Sequence, residues 1–367
     1  MSDLPIRRFL ASFAALSLAS LILSAVALYN RYPLLYPDTI TYLADGEQFV
    51  RRLFLWLPEV GWPASGRSVY YGVAIWPLHL EWSLWPIVFA QALLLGHLMR
   101  LTLRCIDVPV GPVGFIIFAA VITILTPISW HVSHVMPDVF AGMLILAMFL
   151  LGYRSDRLRR WETPYLMVLA TCAIMFHVSH LIIGLALLVQ GALIWLAVPK
   201  WRRAVRPVLL AVPVLAGLVA LVTYPWIARH QIALAPNGLQ YHLARLWVDG
   251  QARAYLRQVC PTTPYALCRH MDIKTDEADQ VLWAFGADFK AVRAESSRII
   301  LGTIRAYPGW VAESAAKNFG RQLVTFQSEA WHPTEWDRSA SSQLSPVVPA
   351  GFSDSRQMAG EFDEKRV

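Results

Sequence analysis

The chain has 367 residues, of which 56% are hydrophobic and only 16% are charged, and its formal net charge is +7. Soluble globular proteins carry about 25% charged residues, so this composition speaks against a soluble protein and favours a membrane protein. The basic excess lies in residues 1–229, with 17 Lys and Arg against 10 Asp and Glu, whereas residues 230–367 hold 15 of each. Basic residues beside apolar segments are typical of cytoplasmic loops, so the charge does not indicate nucleic-acid binding.

Seven apolar segments are long enough to cross the hydrocarbon core, which takes about 20 helical residues. In chain order they are Phe9–Tyr29, Ser83–Leu103, Val113–Trp130, Val135–Tyr153, two within Pro164–Val198 that divide at His177–His180, and Val208–Ile227. The first follows two arginines and exceeds the roughly 7–15 apolar residues of a cleaved signal peptide, so we expect an uncleaved signal-anchor. The fold class expected is therefore all-α, a polytopic transmembrane helix bundle.

The distribution of Lys and Arg predicts the orientation of these spans. With the N-terminus inside, twelve basic residues fall in cytoplasmic loops and five in outer loops up to residue 229. Because basic residues in short loops are retained in the cytoplasm, the N-terminus is expected inside and the C-terminal part outside. We expect the chain in a bacterial inner membrane, with three domains: residues 1–229 in the membrane, an extracytoplasmic helical domain at 230–335, and a loosely ordered tail at 336–367.

The four cysteines divide between the two parts of the chain. Cys105 lies at the predicted cytoplasmic end of the second span and Cys172 lies within the fifth, whereas Cys260 and Cys268 lie in the predicted outer domain, in the segment CPTTPYALC. An oxidising compartment favours a disulfide between the last two. Two free thiols, or a pair of metal ligands, are the alternatives that the spacing leaves open.

Polar residues gather at the predicted outer ends of the helices. Asp38 follows the first span in the first outer loop, which we define as residues 30–82, and Asp138 begins the fourth span. The tetrapeptide HVSH occurs at two outer turns, with histidines at His131, His134, His177 and His180. Histidines three residues apart can share one helix face, so each copy can present two imidazoles together.

Three interpretations of these side chains stay open at this point. Carboxylates with imidazoles can carry out proton transfer near neutral pH. His and Asp are also ligands of divalent metal ions, although the sequence lacks a specific metal-binding pattern. The third interpretation is structural, with His and Ser satisfying backbone groups at tight turns and Asp138 acting as a helix cap.

Three motifs of residues 1–230 resemble those of the GT-C superfamily, the membrane glycosyltransferases that use sugars linked to a lipid phosphate. YPDTITYL with Asp38 is similar to the acidic motif of the family's first outer loop. GRSVYYGVAIWPL with Arg67 is similar to the basic-aromatic stretch before the second helix, and MPDVFAGMLILAMFLL with Asp138 to a later acidic position. Family members commonly have more helices, so the chain resembles a short or truncated member.

The resemblance implies transfer of a sugar from a polyprenyl-phosphate donor to an acceptor on the extracytoplasmic face. Asp38 would be the general base, with Asp138 as the second catalytic carboxylate. Arg67 would bind the phosphate, and the histidines of the two HVSH copies would position the phosphate or the acceptor. A divalent metal ion is left open as a cofactor.

Two other functions remain as alternatives. One is a non-catalytic membrane assembly or scaffold protein related to the GT-C enzymes, and the other is a transporter. Transporter sites lie near the middle of the membrane, whereas here the polar residues lie at the predicted outer rim, which disfavours that alternative. Replacement of Asp38 separates an enzyme from a scaffold, because only the enzyme needs its carboxylate.

Overall fold

The computed structural model describes residues 3–63, 65–230, 232–234, 238–275, 278–284, 288–325 and 351–358. Over these residues the fold is all helical, with no strand and an isolated parallel bridge between Leu34 and His134. The chain forms two compact units, one of residues 1–234 with 329–367 and the other of residues 235–328. The predicted fold class is thus confirmed at the level of an all-α protein.

The described residues contain sixteen α-helices. In chain order they are α1 Asp3–Leu23, α2 Ala25–Asn30, α3 Pro37–Leu53, α4 Val69–His79, α5 Trp85–Cys105, α6 Pro112–Leu125, α7 Ile128–Ser133, α8 Val139–Tyr153, α9 Glu162–Phe176, α10 Val178–Ala197, α11 Pro207–Arg229, α12 Gly238–Val248, α13 Gln251–Val259, α14 Ala278–Ala284, α15 Phe289–Ala306 and α16 Pro308–Val324.

Three helices are long and apolar enough to cross a membrane by length and composition, namely α5, α10 and α11. They indicate a membrane protein. Four shorter apolar helices lie at Phe9–Leu23, Pro112–Leu125, Val139–Tyr153 and Glu162–Phe176, which are the positions of the remaining predicted spans. In unit 1, α1 packs against α5 and α6, α8 against α9 and α10, and α9 against α11.

Proline and serine explain why several helices are shorter than the predicted spans. α6 ends at Leu125 rather than Trp130, because Pro127 restricts Thr126 to the extended conformation. The first span breaks at Ser24 into α1 and α2, and the Ser24 hydroxyl donates back to the Ser20 carbonyl at 2.9 Å, a bond that weakens helix continuity. The predicted hairpin at His177–His180 is the place where α9 and α10 meet.

Unit 2 contains α12–α16 around a small apolar core that includes Trp247 and Leu256. Cys260 and Cys268 form a disulfide, with their Cα atoms 5.9 Å apart. The predicted pairing is therefore confirmed, and the two alternatives for these cysteines are wrong.

The tail prediction needs correction for residues 351–358, which lie in unit 1 and pack against the first outer loop. The Gln357 side chain accepts from the Leu35 amide at 3.1 Å and donates to the Leu35 carbonyl at 2.7 Å. The Gln357 amide donates to Asn30 Oδ1 at 2.7 Å, and Phe352 packs on Tyr32. A segment rich in small and polar residues is ordered here because it completes backbone hydrogen bonds of the loop. The remainder of the predicted tail lies outside the described residues.

Candidate functional site

The site begins with the crossing of α3 and α4, which is closed by two glycines. A Cβ atom on Gly46 would lie 2.4 Å from the Gly72 carbonyl carbon, and one on Gly72 would lie 2.2 Å from the Tyr42 carbonyl oxygen. Only glycine permits this approach, because any side chain would overlap the backbone of the other helix. The two helices of the first outer loop are therefore held backbone to backbone.

This crossing brings Asp38 and Arg67 together from positions 29 residues apart. Asp38 lies at the N-terminal end of α3, and Arg67 lies two residues before α4. Arg67 Nη2 donates to Asp38 Oδ1 at 2.7 Å, and both side chains are partly exposed, 31% for the arginine and 21% for the aspartate. Two of the residues singled out by sequence thus form a charge-assisted hydrogen bond.

Tyr42 lies one helical turn after Asp38 and is the buried residue beside this ion pair. It is 1% exposed, and its ring packs edge-on against Tyr71 with the centroids 5.2 Å apart. Its hydroxyl has no hydrogen-bond partner among the described residues. A buried hydroxyl without a partner is costly, so this group is suited to a ligand.

Four charged side chains act electrostatically on the Tyr42 hydroxyl. Burial raises its pKa well above the usual range, the positive charge of Arg67 opposes this, and three carboxylates add to it, those of Asp38, Asp138 and Asp45. Asp138 thus acts at the same point as the pair in the first outer loop. Asp138 occupies the N-cap position of α8, as the structural interpretation has it, but its exposed side chain makes no cap hydrogen bond to that helix.

Backbone contacts explain how the turn before α8 reaches α3. The Leu34 amide donates to the Ser133 carbonyl at 2.9 Å, and the Val135 amide donates to the Leu34 carbonyl at 3.0 Å. The Thr39 hydroxyl donates to the Val135 carbonyl at 3.0 Å. These bonds fix the start of α3 beside the segment that leads to Asp138.

A second acidic residue of α3, Asp45, is linked by hydrogen bonds to the backbone segment before Arg67. Asp45 is 7% exposed and accepts a hydrogen bond from the Ser65 hydroxyl. The same hydroxyl accepts from the Arg67 amide at 3.1 Å. Ser65 therefore links the buried carboxylate of α3 to the backbone that carries the guanidinium.

The HVSH copy between α9 and α10 lies close to this cluster. His177 Nδ1 accepts from the Ser179 amide at 3.3 Å and so caps α10, and its ring centroid is 5.4 Å from that of His180. Burial lowers the pKa of His177, and the charge of Arg67 acts in the same direction while that of Asp138 opposes it. His180 Nδ1 bonds the Ala173 carbonyl at 2.7 Å. The two histidines of this HVSH copy thus have a structural role and also lie beside the charged cluster.

The other HVSH copy is built differently. His131 is exposed at the end of α7, whereas His134 lies beyond that helix in an extended conformation and bonds the Trp130 carbonyl at 3.0 Å. Ser133 is fully buried, and its hydroxyl accepts from the Ala27 amide at 2.9 Å. This copy mainly joins α2 and α7.

Sequence reasoning missed a buried polar connection behind the cluster. The Tyr71 hydroxyl donates to Gln91 Oε1 at 2.8 Å, and Gln91 Nε2 donates to the carbonyls of Val132 at 3.1 Å and His134 at 2.9 Å. Gln91 is 2% exposed within α5, one of the three helices that are long and apolar enough to cross a membrane. A buried amide in a membrane helix is the signal that could have indicated this role.

Within the described residues, no group of three or more His, Cys, Asp and Glu side chains is arranged to hold a metal ion. The arrangement offers a carboxylate bonded to a guanidinium, a buried phenol and imidazoles, which suits binding of an anion beside a group that takes up a proton. Comparison of the chain with protein-family models, with curated proteins and with solved structures finds no significant match.

Proposed function

We propose that the chain is a membrane glycosyltransferase of the GT-C type, which moves a sugar from a polyprenyl-phosphate donor to an acceptor on the extracytoplasmic face. The observation that carries the proposal is the Asp38–Arg67 pair, joined at 2.7 Å beside the Tyr42 hydroxyl, which has no hydrogen-bond partner among the described residues. A base and a phosphate-binding cation next to one another are the groups that this transfer needs.

The proposal includes the topology that the sequence predicts. The four shorter apolar helices cross the membrane together with α5, α10 and α11, the N-terminus lies in the cytoplasm, and unit 2 lies outside in the periplasm of a bacterial inner membrane. The charge distribution supports this orientation, since residues 198–206 between α10 and α11 hold four basic residues and no acidic one.

The ion pair has a consequence for the mechanism. A carboxylate that is bonded to a guanidinium is a weak base, because protonation would break a charge-assisted hydrogen bond. The donor phosphate competes for Arg67, and its binding releases the Asp38 carboxylate to accept a proton from the acceptor hydroxyl. The acceptor oxygen then attacks the anomeric carbon, the bond from that carbon to the phosphate oxygen breaks, and the lipid phosphate leaves with the bonding electrons. The base is thus activated only when donor is bound.

The test is transfer from a radiolabelled polyprenyl-phosphate sugar by purified protein in detergent. We expect Asp38→Asn to lower turnover by about 100-fold or more, in the range typical of general-base removal, while Arg67→Gln mainly raises the donor concentration needed for half-maximal rate. The control is Glu59→Gln, which removes an exposed carboxylate of the same loop.

Two results would count against the proposal. The first is an Asp38→Asn variant that works as well as the Glu59→Gln control. The second is a folded wild-type protein that releases no sugar from any donor, with or without divalent metal ions, which would favour the scaffold alternative. Divalent metal ions are included because metal dependence is left open by the residues at the site.

A further inference from the structure

A cavity lies where α10 ends and α11 begins, and none of its lining residues belongs to the charged cluster. It has a volume of about 790 Å³ and is lined by Ser155 and Thr163 from the turn before α9 and its first turn, and by Trp195, Arg202, Arg206 and Val208 among others. Both helices that flank it are long and apolar enough to span a membrane. The cavity therefore lies at a membrane end of unit 1.

The residue next to the lining residue Leu209 is closely packed. Leu210 is fully buried between two glycines, because a Cβ atom on Gly152 would lie 2.7 Å from Leu210 Cδ2 and one on Gly191 would lie 2.5 Å from Leu210 Cδ1. The Arg206 amide also donates to the Gly152 carbonyl at 2.8 Å. These contacts tie α8, α10 and α11 together next to the lining residues Arg206 and Leu209.

Two arginines supply positive charge at the wall. Arg202 donates from Nε to the Trp195 carbonyl at 3.0 Å and from Nη2 to the Leu196 carbonyl at 3.1 Å, and its guanidinium lies 5.8 Å from the centre of the Trp195 ring. A guanidinium has five N–H donors, so others remain for an anion. Arg206 is exposed, and its side chain makes no hydrogen bond or ion pair with the described residues.

One acidic side chain also lines the cavity, and its charge is offset. Asp156 lies 3.6 Å from the Arg157 guanidinium and is 70% exposed. Against this single carboxylate, two basic side chains line the cavity, those of Arg202 and Arg206. The hydroxyls of Ser155 and Thr163 add neutral donors, so the polar side of the cavity favours an anion.

The remaining wall is apolar and accessible. Val208 is 73% exposed and Leu196 is 58% exposed, and both belong to faces of α10 and α11 that expose further large aliphatic side chains, such as Val189 and Leu215. Such faces on membrane helices contact acyl chains. Trp195 at the edge is typical of the level of lipid headgroups.

We propose that this cavity binds one anionic phospholipid, with the phosphate on Arg202 and Arg206 and the acyl chains along Leu196 and Val208. A basic pocket between membrane helices is the kind of site that takes acidic lipid headgroups. A soluble phosphate would gain nothing from the apolar wall, whereas a phospholipid uses both halves. The site is separate from Asp38 and Arg67, so it stands or falls independently of the proposed transferase.

Native mass spectrometry of the full chain in detergent tests this proposal. The probes are dioleoyl phosphatidylglycerol, dioleoyl phosphatidylcholine and inorganic phosphate. We expect the wild type to bind one phosphatidylglycerol at least ten-fold more tightly than phosphatidylcholine, and Arg202→Gln/Arg206→Gln to remove that preference. The control Arg298→Gln/Arg305→Gln removes two exposed charges from α15 and should keep it.

Arg202 also caps α10, so the double variant can fail to fold. The single variant Arg206→Gln then serves as the test, because this side chain holds no other contact among the described residues, and it should weaken phosphatidylglycerol binding several-fold. Equal binding of the two lipids by the wild type would overturn the proposal. So would binding of inorganic phosphate as tight as that of phosphatidylglycerol, or an Arg206→Gln variant that retains the full preference.

Discussion

The Tyr42 hydroxyl is buried beside three carboxylates and one guanidinium without a partner among the described residues. Such a group destabilises the protein without ligand, and this free-energy cost is offset only when a ligand donates or accepts a hydrogen bond there. In the proposed transfer the ligand is a sugar hydroxyl or the donor phosphate. A substitution of Tyr42 can therefore distinguish an effect on activity from an effect on stability.

Tyr42→Phe should lower transfer about ten-fold while leaving the melting temperature unchanged or slightly higher. The substitution removes a buried hydroxyl that has no partner among the described residues, so no hydrogen bond, worth about 1 kcal/mol, is lost from the protein. Transfer assays and thermal unfolding of the same samples measure the two effects. Tyr70→Phe is the matched control, since the Tyr70 hydroxyl donates to the Ala220 carbonyl at 2.6 Å and its loss should destabilise the fold. A Tyr42→Phe variant with full activity would remove this residue from the site.

His134 makes the stability of the fold depend on pH. Burial lowers its pKa from 6.5 to about 4, and His131 acts in the same direction while the Trp130 carbonyl and Asp138 oppose it. The folded state thus binds fewer protons than the unfolded state between these values. Stability should be complete above pH 6.5 and fall toward pH 4, by up to about 3 kcal/mol at 1.36 kcal/mol per pH unit.

Thermal unfolding between pH 7.5 and 4.5 measures this slope. His134→Gln should flatten it, because the titrating group is removed, whereas substitution of the exposed His242 by Gln should leave it unchanged. An unchanged slope in the His134 variant would show that other groups cause the pH dependence.

At the scale of elements, the crossing of α3 and α4 holds the site together. Gly46→Ala should cost about 1–3 kcal/mol, the usual penalty of overpacking, because its Cβ atom would lie 2.4 Å from the backbone of Gly72. Since the helices must separate, the Asp38–Arg67 bond should lengthen and the proposed transfer should be lost with the stability. Gly61→Ala is the control in the same loop, as its Cβ atom meets nothing nearer than 3.8 Å. Equal stability of the two variants would contradict the close crossing.

The elements also show what sequence could and could not predict. Asp38, Tyr42 and Asp45 occur at spacings of four and three residues, so a helix reading of PDTITYLADGEQF places them on one face. Arg67 could be named from its motif, but its distance from Asp38 depends on the Gly46–Gly72 contact, which is set by packing rather than by local pattern. Gln357 and Leu35 are 322 residues apart in sequence, and no hydrophobic periodicity predicts their contact.

At the scale of the molecule, the helices in the described residues reproduce the order of the predicted spans. Hydrophobic periodicity and length determine that order, because a membrane helix must satisfy its own backbone. The ends of the helices depend on proline and serine contacts instead, which is why α6 and α8 are shorter than expected. The number of crossings follows from the length of the apolar segments and their direction from charge, and both stay predictions.

Cysteine labelling tests that prediction in right-side-out membrane vesicles. Glu59 and Arg203 are exposed, and five proposed spans separate them, so they should lie on opposite sides of the membrane. A membrane-impermeant maleimide should therefore label Glu59→Cys in intact vesicles and Arg203→Cys only after lysis, with the unsubstituted chain as the background control. Labelling of both on one side would require an even number of crossings and would place the Asp38 site and the Arg206 cavity in the same compartment. Labelling of Arg203→Cys alone would reverse the orientation and put the proposed transfer in the cytoplasm, where the charge distribution argues against it.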